Sequence, residues 1–219
     1  MIRDLAGITS TRVVDVAPSS HDAASHTVDC VISMGSPVKR FYGTEVLRIH
    51  ESAIDTNRVW SGSCPVLDSH RQGSIAHALG RVTATWFRGN AFMGRLTFNQ
   101  TNAGRKAEGM VARAEIAGIS AGYRVEEWEV ADAEGRAVDP DSMRWDDDLI
   151  FTATRWELLE TSLVTVPADA GAGIRAYPDG FDRALVIADL SEEAQVVMLV
   201  RMRIATRQRM YDRQEALIG

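Results

Sequence analysis

Residues 102–130 read NAGRKAEGMVARAEIAGISAGYRVEEWEV, and the order of elements in this stretch decides the fold class. Ala103, Ala107, Met110, Val111 and Ala114 recur at three- and four-residue steps. That spacing lines up one apolar face and predicts a helix from Asn102 to Ala117, with Gly118 as its stop. From Ile119 to Val130, Tyr123, Val125 and Trp128 stand among charged residues, which predicts a strand. Gly118-Ile119-Ser120-Ala121-Gly122 matches the G-x-S-x-G nucleophile elbow, but that motif requires a strand before the serine and a helix after it. Here the order is reversed. The elbow's triad also needs a histidine after the serine, whereas His21, His26, His50, His70 and His77 all precede Ser120. A His–acid–Ser order is formally open, but its nucleophile motif is absent. Taken alone, the match leaves Ser120 as a turn serine between two glycines.

Upstream, ALGRVTATWF and AFMGRLTF are β-rich runs separated by Arg88-Gly89-Asn90, a hairpin signature. TVDCVISM, GTEVLRIH and VWSGSCPVLDSH also read as strands, the last ending near His70. Downstream, Leu149–Glu157 and Leu159–Val166 predict two more strands, and Pro167 ends the second. A strand pattern also occurs at Arg12–Val16, within an N-terminal arm spanning 1–26. Ser191 opens a final helix, with Glu192 and Glu193 in its first turn, where acids suit the helix dipole. These elements predict an α+β domain with an antiparallel, partly barrel-like sheet, one internal helix and a C-terminal helix. The expected divisions are an arm at 1–26, a main domain at 27–180 and a helical tail at 181–219.

Of 219 residues, 45% are apolar and 25% charged, ordinary values for a globular chain. The net charge of -6 argues against a nucleic-acid binder. Cys30 and Cys64 are too few for a disulfide framework or zinc site, so a reduced compartment is expected. MIRDLAGITSTR lacks the apolar stretch of a signal peptide, and Val196–Val200 is too short to span a bilayer. No membrane or nucleic-acid partner is therefore expected. The aspartates of residues 138–148 do not follow calcium-loop spacing and read as a solvated loop. The arginines at 201, 203, 207, 209 and 213 read as a solvated helix end or as a docking segment.

Chemistry requires a base beside the serine, because a hydroxyl is a poor nucleophile until its proton is taken. The chain offers His70, Ser120 and Glu160 in that order, far apart in sequence, so the fold would have to assemble them. Each has a plain alternative. His70 could be a strand-end histidine, with His77 the rival base. Glu160 lies in the apolar run LLETSLV, where a carboxylate is costly unless partnered. Glu157 is its rival, and strand alternation would put it on the opposite face. Ser162 is a rival nucleophile that reads more simply as a strand residue, and Asp68 reads as solvated.

Three blocks carry a family resemblance. They are Leu67-Asp68-Ser69-His70 followed by Leu79-Gly80-Arg81-Val82, then Gly118–Tyr123, then Trp156–Ala168 ending in Val166-Pro167-Ala168. Together they resemble the tailed-phage prohead (capsid maturation) serine proteases, distant relatives of herpesvirus assemblin. Arg71 stands where the family often has Asp, and Ala121 where a larger aliphatic residue is common.

The resemblance implies a herpesvirus-protease-like fold, with His70 as general base, Ser120 as nucleophile and Glu160 as orienting acid. It implies an endopeptidase that cleaves scaffolding segments, the major capsid protein and itself, with no metal or organic cofactor. It also implies self-association, and action inside an assembling procapsid in the bacterial host cytoplasm. The terminal segments would be removed by self-cleavage or used for docking. Two alternatives from the same residues stay open: a catalytically silent scaffolding module, and a small serine esterase using the same site.

Overall fold

The computed structural model describes residues 20–139 and 148–174. The strand expected at Arg12–Val16, the helix from Ser191 and most of the acidic loop lie outside them. In chain order the elements are β1 (Thr27–Ser33), β2 (Val38–Arg40), β3 (Gly43–Leu47), β4 (Ile54–Asp55), α1 (Asn57–Trp60) and β5 (Pro65–Asp68). A single 3-10 turn at Ile75–His77 leads into β6 (Ala78–Arg88), β7 (Ala91–Phe98) and α2 (Asn102–Ala112). Then come β8 (Gly118–Ala131), β9 (Ile150–Val164) and β10 (Gly173–Ile174).

The expected hairpin forms, with Arg88 opposite Ala91 in the β6–β7 ladder. The sheet runs on from β9 through β5, β6, β7, β1, β10 and β8, and β8 pairs back onto β9. Seven strands therefore close into a barrel, which removes the open sheet edges that closure is able to satisfy.

The sheet is mixed, not antiparallel throughout. β3, β4 and β5 each run parallel to β9. The chain leaves β5, makes the β6–β7 hairpin, α2 and β8, and only then returns along β9. A crossover of that length permits parallel pairing, which a tight turn cannot. The two strands expected over 149–166 are also one. The partner of Gly122 is Glu160 and the partner of Tyr123 is Leu158, so Leu159 is an extra residue at a bulge.

The core is packed from inward residues of every wall. Val28 and Ile32, Val66, Val82, Phe92 and Leu96, Ile119, and Trp156, Leu158 and Leu163 form one buried cluster. Phe92 meets the Trp156 ring edge-on at 5.9 Å, which ties β7 to β9 across the interior. Full burial of one such large apolar side chain contributes about 1.5–3 kcal/mol.

Helix α2 begins as expected: the Thr101 hydroxyl accepts from Gly104 N–H at 3.2 Å. It ends five residues early. Ala114 has φ 58°, with Ala114 N–H bonded to Val111 O and Glu115 N–H to Met110 O. That is a Schellman stop with alanine where glycine is usual. No helix among the described residues is long and apolar enough to cross a membrane. Of the arm expected at 1–26, residues 20–26 are described. Ser20 is buried and donates to Asp29 O, while His21 and His26 both contact Glu108 of α2.

Candidate active site

The β8–β9 ladder sorts its residues by face. Ile119 and Leu163 are cross-strand partners and belong to the core. Alternation then puts Gly118, Ser120 and Gly122 on the other face, opposite Val164, Ser162 and Glu160. Ser120 is thus within a strand, not on a turn. The second glycine of the motif has a steric reason: a Cβ on Gly122 would land on Glu160 Oε1. Only glycine leaves that carboxylate room to lie across β8.

His70 arrives from the neighbouring strand. In the parallel β5–β9 ladder, Leu67 is level with Ser162 and Asp68 with Leu163. Ser69 N–H continues this ladder by donating to Leu163 O at 3.1 Å. The chain then turns sharply through two consecutive non-glycine residues in the left-handed region, Ser69 (φ 51°) and His70 (φ 59°). Such conformations cost about 1–3 kcal/mol each and persist where the surroundings enforce them.

The enforcement is visible. His70 N–H donates to Ser162 Oγ at 2.9 Å, and His70 Nδ1 lies 2.5 Å from Glu160 Oε1. Ser162 Oγ donates to Glu160 Oε2 at 2.8 Å. Both oxygens of this carboxylate, which is 1% exposed, are therefore engaged. With Nδ1–H directed at the carboxylate, a neutral ring keeps its lone pair on Nε2. The His70 side chain remains 42% exposed.

His70 and Ser120 line one cleft of about 140 Å³. Ser120 is 8% exposed there. Arg40, Glu45 and Tyr123 also line the cleft. Buried Glu45 accepts from the Tyr42 and Tyr123 hydroxyls and from Arg40 Nη2 at 3.0 Å. Burial acts to raise its pKa, but these donors outweigh it and hold the carboxyl below the usual range. Burial, then Glu45, pushes the Tyr42 phenol up to about 12. Asp169 lines it as well. It accepts from Ser33 Oγ at 2.8 Å and Met34 N–H at 2.7 Å. Burial again opposes ionisation, and hydrogen bonds from Ser36, Ser33, Gly171 and Met34 overcome it, so this carboxyl too sits below its ordinary value.

The rival residues are otherwise engaged. Glu157 does not lie on the opposite face from Glu160. The bulge at Leu159 resets the alternation, leaving Trp156 and Leu158 toward the core and Glu157 away from it. What separates the two acids is company: Glu157 is taken by Arg58 at 2.7 Å and Arg124 at 2.8 Å. Ser162 is fully buried, His77 ends the 3-10 turn, and Asp68 pairs with Arg71. Burial, followed by the charge of Glu160, pushes the Cys64 thiol up to about 12, so it is no thiolate nucleophile. Glu45, Arg40 and Asp169 were not singled out from the sequence. Tyr123 alone carried a signal, by ending the second family block.

The model of the caudovirus prohead serine proteases matches residues 61–184, which contain His70, Ser120 and Glu160. A major capsid protein of Halomonas phage phiHAP-1 is 31% identical over 144 residues, 65% of this chain. The chain spans 22% of that relative's length. No solved structure matches. A family match over more than half of its residues places this chain among the caudovirus prohead serine proteases.

Proposed function

We propose that this chain is a serine endopeptidase of phage capsid maturation, with Ser120 as nucleophile, His70 as general base and Glu160 as the acid that orients it. The observation that carries the reading is the 2.5 Å contact between Glu160 and His70 Nδ1, on the same cleft as Ser120. In the reaction, Ser120 Oγ bonds to the scissile carbonyl carbon while its proton passes to His70 Nε2. The C–N bond then breaks and the departing amine takes that proton. Water repeats the sequence on the acyl-enzyme, releasing the acid and restoring Ser120. Glu160 stabilises the imidazolium formed in both halves.

The substrates we propose are the capsid protein, its scaffolding segments and the chain itself, acted on inside the assembling procapsid in the host cytoplasm. A relative that is itself a major capsid protein supports capsid protein as the substrate class. Self-association would place several copies beside their substrates.

Co-expression with the neighbouring capsid gene, followed by mass-spectrometric mapping of new termini, tests this reading. New capsid termini are expected, and none with Ser120→Ala. Normal processing by a folded Ser120→Ala chain would overturn the assignment. Ester hydrolysis without cleavage of any capsid-derived peptide would favour a small esterase, and loss of both a scaffolding module.

A further inference from the structure

We propose that Ser162 is a positioning residue whose single hydroxyl couples the backbone of His70 to the carboxylate of Glu160. The inference rests on the reading of His70, Ser120 and Glu160 given above. The direction of both hydrogen bonds is unambiguous. A backbone N–H can only donate, so Ser162 Oγ accepts from His70 at 2.9 Å. An ionised carboxylate can only accept, so the same hydroxyl donates to Glu160 Oε2 at 2.8 Å.

One oxygen therefore holds the left-handed turn that presents the imidazole and fixes the free side of the acid that meets it. Ser162 is fully buried and its proton is committed to Glu160, so it is not a competing nucleophile. It also lies directly opposite Ser120 in the β8–β9 ladder. The nucleophile's strand partner is thus the residue that sets the base and acid. Alanine at 162 would leave His70 N–H unpaired and free the Glu160 carboxylate to rotate away from Nδ1.

The test is the rate at which a fluorophosphonate probe labels the full chain, resolved into kinact and KI across a pH series. Attack by Ser120 Oγ forms the O–P bond, fluoride leaves and the proton goes to His70, so kinact reports activation of the serine without a peptide substrate. Ser162→Ala is expected to lower kinact by about 10–100-fold, by analogy with the loss when an outer hydrogen-bond partner that orients a metal-binding histidine or carboxylate is removed. KI should be unchanged, and the acid limb of kinact should be displaced, because the carboxylate that faces the imidazole has lost its other hydrogen bond. Ser162→Cys fills the space with a weaker hydrogen-bonding group and should lose less than alanine. It serves as the primary variant if alanine does not fold. Wild-type kinact and acid limb in either folded variant would overturn the proposal. So would a loss shared by kinact and KI with an unmoved acid limb, which marks a merely structural residue. Ser120→Ala separates the two levels: labelling that survives it sinks the underlying reading, whereas labelling lost in Ser120→Ala but intact in Ser162→Ala sinks only this inference.

Discussion

Among the described residues, two places set histidine against a buried glutamate. At one, His70 meets Glu160 at 2.5 Å. At the other, Glu108 of α2 receives His21 at 3.1 Å and His26 at 3.0 Å. The chemical groups are the same, but the settings differ. Glu160 faces Gly122, two residues along β8 from Ser120, and a cleft lies beside its histidine. Glu108 instead links the segment before β1 to a helix. A histidine–carboxylate contact is therefore no sign of catalysis in itself. At Glu108 the same pair clasps the segment before β1 to α2.

The strongest way to break this contrast is to remove the histidines. His70→Ala is expected to abolish peptide cleavage nearly as fully as loss of Ser120, because groups acting as a unit fail together. His26→Ala should leave turnover intact and lower the melting temperature. Peptide-cleavage rates with thermal melts decide it, and a swap of the two outcomes would move the site to Glu108.

The acids come next. Glu160→Gln keeps shape but not charge, and should reduce cleavage by at least about tenfold, toward the small end of single acid–base contributions. Glu108→Gln should not alter the rate, and should cost about 1–3 kcal/mol of stability, the range for weakened buried polar partners. Denaturant melts beside cleavage assays check both. Full activity in a folded Glu160→Gln chain would leave a His70–Ser120 dyad.

Gly122→Ala sharpens the comparison from the backbone side. The new Cβ would displace Glu160 Oε1, so cleavage should fall while the fold survives at a cost of about 1–3 kcal/mol, as for other overpacked sites. Among the described glycines, none has Glu108 among the nearest atoms to its missing Cβ. The readout is turnover against the urea midpoint, and a fully active, folded variant would show that Glu160 needs no such space.

A third buried carboxylate, Glu45, has no histidine and gives the smallest effect. Its tyrosine and arginine donors hold its pKa down. Its contribution to stability is therefore complete above the ordinary glutamate range near ~4.3 and lost as pH falls through the depressed folded value. Stability measured from pH 6 downward should fall less steeply in Glu45→Gln than in wild type. Identical acid profiles would deny Glu45 that role.

The sequence by itself determined the local elements and the identity of the chemical groups. The three- and four-residue steps of 103–114 located α2, and apolar runs around Gly89 located the β6–β7 hairpin. The reversed order around Ser120 excluded the elbow. A carboxylate in the apolar run LLETSLV demands partners. These signals are local, since side-chain periodicity follows the backbone dihedrals of its own segment.

Tertiary structure decided the rest. The parallel β5–β9 seam joins residues some ninety positions apart, and no local pattern encodes which strands meet across such a loop. The bulge at Leu159 overturned the face expected for Glu157, because one extra residue inverts a period-two argument. Ala114 capped α2 without the glycine that marks most such stops. Ser162, read as a strand residue, became the link between His70 and Glu160 because register alone set it beside both. Residue types carry chemistry in the sequence. Distance, register and burial arise only when segments far apart in the chain are packed against each other.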